Sequence, residues 1–282
     1  MRYFDGGPNL AWFWSKAKGA RPVRVRLFQL VLACLLGFAA ISSAEQYVIA
    51  HFPYGGGWAA KTMLTNSTAN DVTVELAYLS QEGTPISVPL ENLGNTHTEQ
   101  IRIGPNEVKS VSIDPRHRNA RSLQVAWATV RSDGPVNIFT LFDYAPTSVP
   151  STIPSTNIVT AVGGPSSPAG HSFRFPVSIN GVTHYNAGLV VANPNNLTAH
   201  VRLNLLDGDG TVKATHHIAL TSHGQTTMVL TDIDRFKAAL DPSALFNGSV
   251  GVCADQPIGF LALGIEGRVF FTVPVSSDYR CN

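Results

Sequence analysis

Charged side chains are what this sequence has least of: only 14% of its 282 residues are Asp, Glu, Lys or Arg. Long surface helices draw on Lys, Glu, Arg and Gln for their solvated faces, so a chain this poor in charge is not expected to be a helical bundle. Motifs of the commoner chemistries are missing too. No Gly-x-Ser-x-Gly run marks a serine-hydrolase elbow, no phosphate loop occurs, and no two histidines stand at the helical spacing of a zinc hydrolase. A basic excess is also absent. Six of the 20 basic residues and one of the 19 acidic ones precede Ala44, which leaves 14 basic against 18 acidic beyond it, a net charge of −4. A mildly acidic surface offers phosphate backbones and anionic lipid no general attraction, so nucleic acid is not an expected partner.

What the chain has in quantity is apolar residues, 44% of the total, with 24 Gly and 18 Pro. That composition describes a packed globule of short strands joined by turns, and the expected class is all-β.

Arg21, Arg24 and Arg26 lead into the apolar run Leu27 to Ala40, and Ser42-Ser43-Ala44 puts small residues where signal peptidase cuts. The expectation is a signal helix cleaved after Ala44, residues 1–44 being an N-terminal extension and signal peptide. The mature protein is then secreted, extracellular or periplasmic, with no membrane segment. Two alternatives stand beside this. Leu27 to Ser43 is only slightly short of a span of about 20 residues and would serve as an uncleaved membrane anchor. Val31-Leu-Ala-Cys34 loosely fits a lipidation box, although the run after Cys34 stays apolar.

Beyond Ala44 the sequence reads twice. Lys61 to Thr84 can be laid without gaps on Gly188 to Thr211, so that Asn66 meets Asn193, Val74 meets Val201, Leu76 meets Leu203, and Gly83-Thr84 meets Gly210-Thr211. The Asn opens a turn, the Val/Leu alternation is a half-buried strand, and the Gly supplies the positive φ of a hairpin. With small gaps, Phe52-Pro53 pairs with Phe175-Pro176, Trp58 with Tyr185, Ile101-Arg-Ile103 with Ile218-Ala-Leu220, and Val111-Ser-Ile113 with Met228-Val-Leu230. Gly134-Pro-Val-Asn-Ile138 matches Gln256-Pro-Ile-Gly-Phe260, and each copy ends in Val-Pro, at Val149-Pro150 and Val273-Pro274. A repeat of roughly 110 residues is domain-sized, not a solenoid unit of about 20 to 50. Two tandem immunoglobulin-like antiparallel β-sandwiches related by internal duplication are expected, with about seven strands each. They occupy residues 45–154 and 171–282 and are joined by a Gly/Pro/Ser-rich linker, 155–170. A short helix is expected at Asp232 to Leu240, capped by Asp232 and stopped by Asp241-Pro242.

The turn Gly55-Gly-Gly-Trp58, the strand ending in Asn66, the Glu-Gly hairpin and the late Pro-Val strand resemble those of uncharacterised secreted bacterial tandem β-sandwich repeat proteins of the Gly-Gly-Gly-Trp type. The second copy departs from the pattern, with Asn180-Gly-Val-Thr-His-Tyr185 in place of the glycine turn. The resemblance implies an envelope or extracellular setting and no catalytic residues.

Few residues invite chemistry. His216-His217 is the closest histidine pair, but neighbours on a strand point to opposite faces and do not chelate one ion. Asp207-Gly-Asp-Gly210 lacks the third acid and the distal Glu of a calcium loop and reads as a hairpin turn. Arg116-His-Arg-Asn-Ala-Arg121 reads as a solvated loop, or as a contact for an anionic partner. No metal, cofactor or catalytic residue is expected. Cys253 and Cys281 remain after processing and form an even pair for a disulfide in an oxidising compartment. Tyr54, Trp58 and Trp127 are the candidate ligand-binding aromatics, because flat rings pack against pyranose C–H faces; the alternative is that they plug the core. Asn66, Asn196 and Asn247 head glycan sequons, relevant in a host that glycosylates. The leading functional expectation is a non-catalytic structural or protein-interaction module contacting a protein or the envelope. A carbohydrate- or cell-wall-binding accessory protein is the alternative, and a hydrolase a distant third.

Overall fold

The computed structural model describes residues 45–120, 122–145, 160–166, 168–180, 185–241, 243–267, 269–277 and 279–281. The signal segment, Val149-Pro150 and residues 155–159 of the expected linker lie outside them. The described chain is all-β, and its paired strands run antiparallel. Its first half holds β1 (Glu45–Tyr54), β2 (Trp58–Thr65), β3 (Val72–Leu79), β4 (Val88–Leu90), β5 (Gly94–Thr96), β6 (Thr98–Ile103), β7 (Val108–Ser112), β8 (Gln124–Ser132), β9 (Asn137–Tyr144) and β10 (Thr160–Pro165). Two four-stranded sheets result, in the orders β1-β8-β3-β6 and β10-β9-β2-β7, with β4 and β5 paired separately.

The second half holds β11 (Gly170–Ile179), β12 (Tyr185–Ala192), β13 (Ala199–Asp207), β14 (Val212–Leu220), β15 (Gln225–Val229), β16 (Phe246–Glu266) and β17 (Val269–Thr272). The long strand β16 serves two faces: its first part pairs with β11 and β13, its last part with β12 and β17. The pairing order is therefore β11-β16-β13-β14 on one face and β17-β16-β12-β15 on the other, the same order as in the first half. Between β15 and β16 stand a 3-10 turn at Leu230–Asp232 and a helix at Asp234–Ala239. The turn starts the element two residues ahead of the expected helix, and no side chain caps it.

Two expectations need correction. An immunoglobulin sandwich groups its strands A, B, E, D against C, F, G. Here, counting the seven strands β1, β2, β3, β6, β7, β8 and β9 as first to seventh, the first, third, fourth and sixth share one sheet and the second, fifth and seventh the other. The expected linker is also partly a strand: Thr160–Pro165 is β10, hydrogen-bonded to β9 as the edge of the second sheet.

Register relates the halves residue by residue. Leu76 faces Val130 as Leu203 faces Val252; Val74 faces Ile101 as Val201 faces Ile218; Thr62 faces Val111 as Leu189 faces Met228; Leu64 faces Ile138 as Val191 faces Phe260. The correspondence of Phe52-Pro53 with Phe175-Pro176 is out of step. Phe52 lies opposite Ala126, and the matching place opposite Gly248 is held by Val177, two residues beyond Phe175; a bulge between Ile49 and Phe52 adds one residue to β1 on the way. Likewise the counterpart of Val273-Pro274 is Gly164-Pro165 on β10, one strand further along than expected.

Asn66 and Asn193 do the same work in the two halves. Both are fully buried. Asn66 Nδ2 donates to the carbonyls of Asn70 (2.7 Å), Ile103 (3.2 Å) and Gly104 (2.9 Å), and its Oδ1 accepts from the Thr68 amide at 2.9 Å. Asn193 Nδ2 donates to Leu197 (2.8 Å), Leu220 (3.3 Å) and Thr221 (2.8 Å), and its Oδ1 accepts from the Asn195 amide at 3.0 Å. Each side chain thus ties the β2- or β12-end turn to the next sheet, satisfying carbonyls that are shielded from water.

Residues 44–282 form one compact unit. Each half has its own core, built in the first half around Phe52, Leu64, Leu76 and Tyr78, and in the second around Phe175, Leu189, Leu203 and Phe236. A third apolar cluster joins them: Val48, Ala50 and Trp127 of the first half against Val190 and Ala192 of the second. In addition Leu261, Leu263 and Phe270, from the outer face of the second half, pack onto the first core. Polar contacts close the rim. The Gln225 amide donates to the Gln81 carbonyl at 2.8 Å, and Gln225 Nε2 donates to the Ala50 carbonyl at 2.9 Å.

Replacing Asn66 by Asp turns the donors aimed at those carbonyls into acceptors. Asn66→Asp, and equally Asn193→Asp, should lower unfolding free energy by about 3 kcal/mol, read from urea denaturation midpoints. Tyr78, whose buried hydroxyl lacks a hydrogen-bond partner, behaves oppositely: Tyr78→Phe should leave stability unchanged or raise it by about 1 kcal/mol in the same assay.

Candidate functional site

The three candidate aromatics are not assembled into a platform. Trp127 projects from β8 into the joint between the halves, fully buried, with Nε1 donating to the Ser80 carbonyl at 2.9 Å. It offers no face to a sugar, which corrects its placing among ligand-binding residues. Trp58, at the start of β2, is half-buried among rings: its centroid lies 5.1 Å from Tyr144, 6.1 Å from Phe142 and 5.7 Å from Phe270 of the second half. Tyr54 is half-buried against the first core, and its hydroxyl pKa is raised by that burial.

The remaining marked residues are accounted for locally. Cys253 and Cys281 are joined by a disulfide, their Cα atoms 5.7 Å apart. It pins a C-terminal tail whose Ser276 exchanges backbone hydrogen bonds with Arg174 at 2.8 Å, while the Tyr279 ring lies directly over Gly251. His216 and His217 face Leu203 and Arg202 and so point to opposite sides of β14. At the Asp207–Gly210 turn the acids serve the hairpin: Asp207 and Asp209 each accept from the Thr211 amide at 2.9 Å, and Gly210 takes a φ of +89°. Its counterpart Gly83 takes +87°. In the basic cluster, Asp114 caps the short helix Pro115–Arg118, the Arg116 guanidinium folds back onto Asp114, and Arg118 pairs with Asp143. Of the three sequons, Asn66 is buried with its Nδ2 engaged and offers the folded protein no acceptor, whereas Asn196 and Asn247 are exposed.

The feature not anticipated is a cleft of about 450 Å³ where the two faces of the second sandwich part, between β11 and β17. Val177, Ala187, Gly264, Phe271 and Val273 form its apolar wall, with Tyr185, Asn186 and Asn247 at the rim. Tyr185 donates to Glu266, a bond that raises its pKa. A second cleft of about 600 Å³ adjoins it, sharing Pro176, Asn247, Gly248 and Pro274. The cause is an exchange of side-chain size. In the first half Phe142 faces the core and stands in register with position 162 of β10; in the second half Gly264 takes its place, in register with Phe271. Phe142 is buried, 2% exposed, whereas Phe271, on the edge strand, keeps 42% of its surface exposed. The sequence carries the signal, since extending the Ile138/Phe260 match by four residues sets Gly264 opposite Phe142.

Beside Phe142 in the first half sits His51, in the β1 bulge, its ring 5.2 Å from the Phe142 centroid. The residue retains some exposure, but Nδ1 is shielded and without a hydrogen-bond partner. Burial lowers its pKa from 6.5 to about 4. Among the described residues no cluster of His, Cys, Asp and Glu is arranged to hold a metal ion.

Two expectations follow for stability. Because the native state refuses a proton that the unfolded chain accepts, the His51 contribution is intact above pH 6.5 and is lost as pH falls toward 4, by about 2 to 3 kcal/mol in all. His51→Leu should flatten that stretch of the stability–pH curve in urea titrations. Cutting the disulfide, which closes a sequence separation of 28 residues, should cost about 3 kcal/mol, so Cys253→Ser should melt lower than the oxidised wild type and be insensitive to reductant.

No protein-family profile matches the chain, and neither a curated protein nor a solved structure is significantly similar to it.

Proposed function

We propose that the chain is an exported, non-catalytic structural and protein-interaction module, made of two copies of one ancestral sandwich. The observation that carries this reading is the way the halves are joined. Apolar side chains of each half are buried in the other, and a disulfide fastens the tail, giving a stiff body that presents strand edges, turns and an apolar cleft with a second cleft beside it. Such a body is suited to presenting fixed contact surfaces. The disulfide supports an oxidising compartment, in keeping with the apolar N-terminal run and cleavage after Ala44. The shared strand order and register support the duplication. Carbohydrate binding draws less support, because Trp127 is buried and Trp58 is stacked among protein rings.

The chain should therefore not sediment with insoluble polysaccharides or purified cell wall. Retention that disappears in a folded Trp58→Ala variant would replace this reading with the carbohydrate one.

A further inference from the structure

The two halves share one fold, yet their open sides differ. In the first half the side between the β1 and β10 edges is closed twice. Phe142 fills it from within, and Phe270, on the neighbouring sandwich, covers it from without, its ring 5.7 Å from Trp58. In the second half the matching side, between β11 and β17, has Gly264 where Phe142 would stand and Tyr185 where Trp58 would stand. Among the described residues no other sandwich lies over it. Phe271 bends over Gly264 so closely that a Cβ there would fall 2.1 Å from its ring, and the space beside that ring is the cleft of about 450 Å³. Val275, 39% exposed, lines the adjoining cleft of about 600 Å³. A cleft of this size and lining, with a few polar groups at its mouth, has the character of a binding pocket.

We propose that this open side is the docking pocket for an aromatic side chain presented by a partner protein. The chemistry is read from the first half, where the same position takes one ring from within and a second from a strand of the adjoining sandwich. Asn247, exposed at the rim, is placed to bond the backbone that carries the ring, and the Tyr185 hydroxyl, which donates to Glu266, keeps its oxygen as an acceptor; the Asn186 amide is already engaged by Thr231 and the Ala187 amide. A second copy of the chain is the poorer occupant. The face it would have to insert carries Lys61 and Asn137 where the internal joint has Gly188 and Gly259, and Gly259 is needed there because a Cβ would fall 2.2 Å from Val48.

The inference deepens the interaction reading and is tested apart from it. The full chain is irradiated with N-acetyl-4-benzoylphenylalaninamide and the labelled residues are mapped by mass spectrometry. Labelling should fall on the β11, β12 and β17 segments around Val177, Ala187 and Val273. Excess N-acetylphenylalaninamide should suppress it, and N-acetylalaninamide should not. The double variant Gly264→Phe/Phe271→Val, which installs the first half's own pair, should lose the labelling while melting no lower than wild type. Ala187→Leu, filling the cleft from β12, is the second such variant should the first unfold. Labelling elsewhere, labelling that the alaninamide suppresses equally, or labelling unchanged in a folded filled variant overturns the pocket. So does labelling that emerges only after Phe139→Asp on the first half, which would mean that a second copy already fills the cleft. A failed pocket leaves the interaction module standing, whereas polysaccharide retention through Trp58 removes the module and leaves the pocket.

Discussion

β1 is buried on both faces, and the arrangement of the whole chain depends on that. Tyr47, Ile49 and Phe52 enter the first core, while Val48 and Ala50, on the other side of the same strand, enter the joint with the second half. An edge strand ordinarily leaves one face or one edge to water. Here the outer face rests on β12 and β16 so closely that Gly259 has no room for a Cβ beside Val48. Gln225 then satisfies the Ala50 carbonyl that the contact has dried. Burial of this kind is worth about 25 cal/mol for each Å² of apolar surface removed from water, and Trp127 supplies a large share of that surface. The result is that the two halves form one compact body.

Much of this was legible in the sequence. The gapless match from Lys61 to Thr84 with Gly188 to Thr211 is reproduced pair by pair in the sheet registers, because alternation of period two and the hairpin glycines leave a strand few choices of register. Asn66 and Asn193 were readable as turn openers; that each also reaches across to the next strand was not, since the carbonyls it meets are 37 and 27 residues away. The Phe-Pro pairs misled because their chemical likeness is stronger than the register signal: Phe52 answers to Val177, two residues beyond Phe175.

Trp127 shows where a strand pattern is ambiguous. On β8 it has outward parity, which for an isolated sandwich means exposure, and an exposed Trp invites a ligand. The correction was available in the runs Tyr47-Val-Ile-Ala50 and Gly188-Leu-Val-Val-Ala192, which are apolar at successive positions, as strands are when covered on both faces. Two strands that need cover on their outer faces, one from each half, are most simply satisfied by each other. The cleft at Gly264 was hidden for a different reason. A missing side chain is silent in a pattern of hydrophobic positions, and only comparison with the other half shows that a ring is absent.

The same comparison shows how the two outer faces of the pair differ from the faces that meet in the internal joint. Joining unlike faces is a head-to-tail contact, and such contacts propagate into filaments unless something stops them. At the free end of the second half, Val48 is replaced by Arg174 and Trp127 by Ser249, and the tail lies there with Tyr279 over Gly251. At the free end of the first half, Ala192 is replaced by Thr65 and Gly259 by Asn137. A third sandwich would have to bury an arginine against an asparagine where the internal joint sets a valine on bare backbone, and desolvating that guanidinium costs more than the contact returns. At these positions each face that would extend the stack carries a polar side chain, while the open side of the second sandwich is apolar. The apolar surface left uncovered there is not a remnant of the joint, since the positions that correspond to the joint carry Arg174, Ser249, Thr65 and Asn137 in place of its apolar residues.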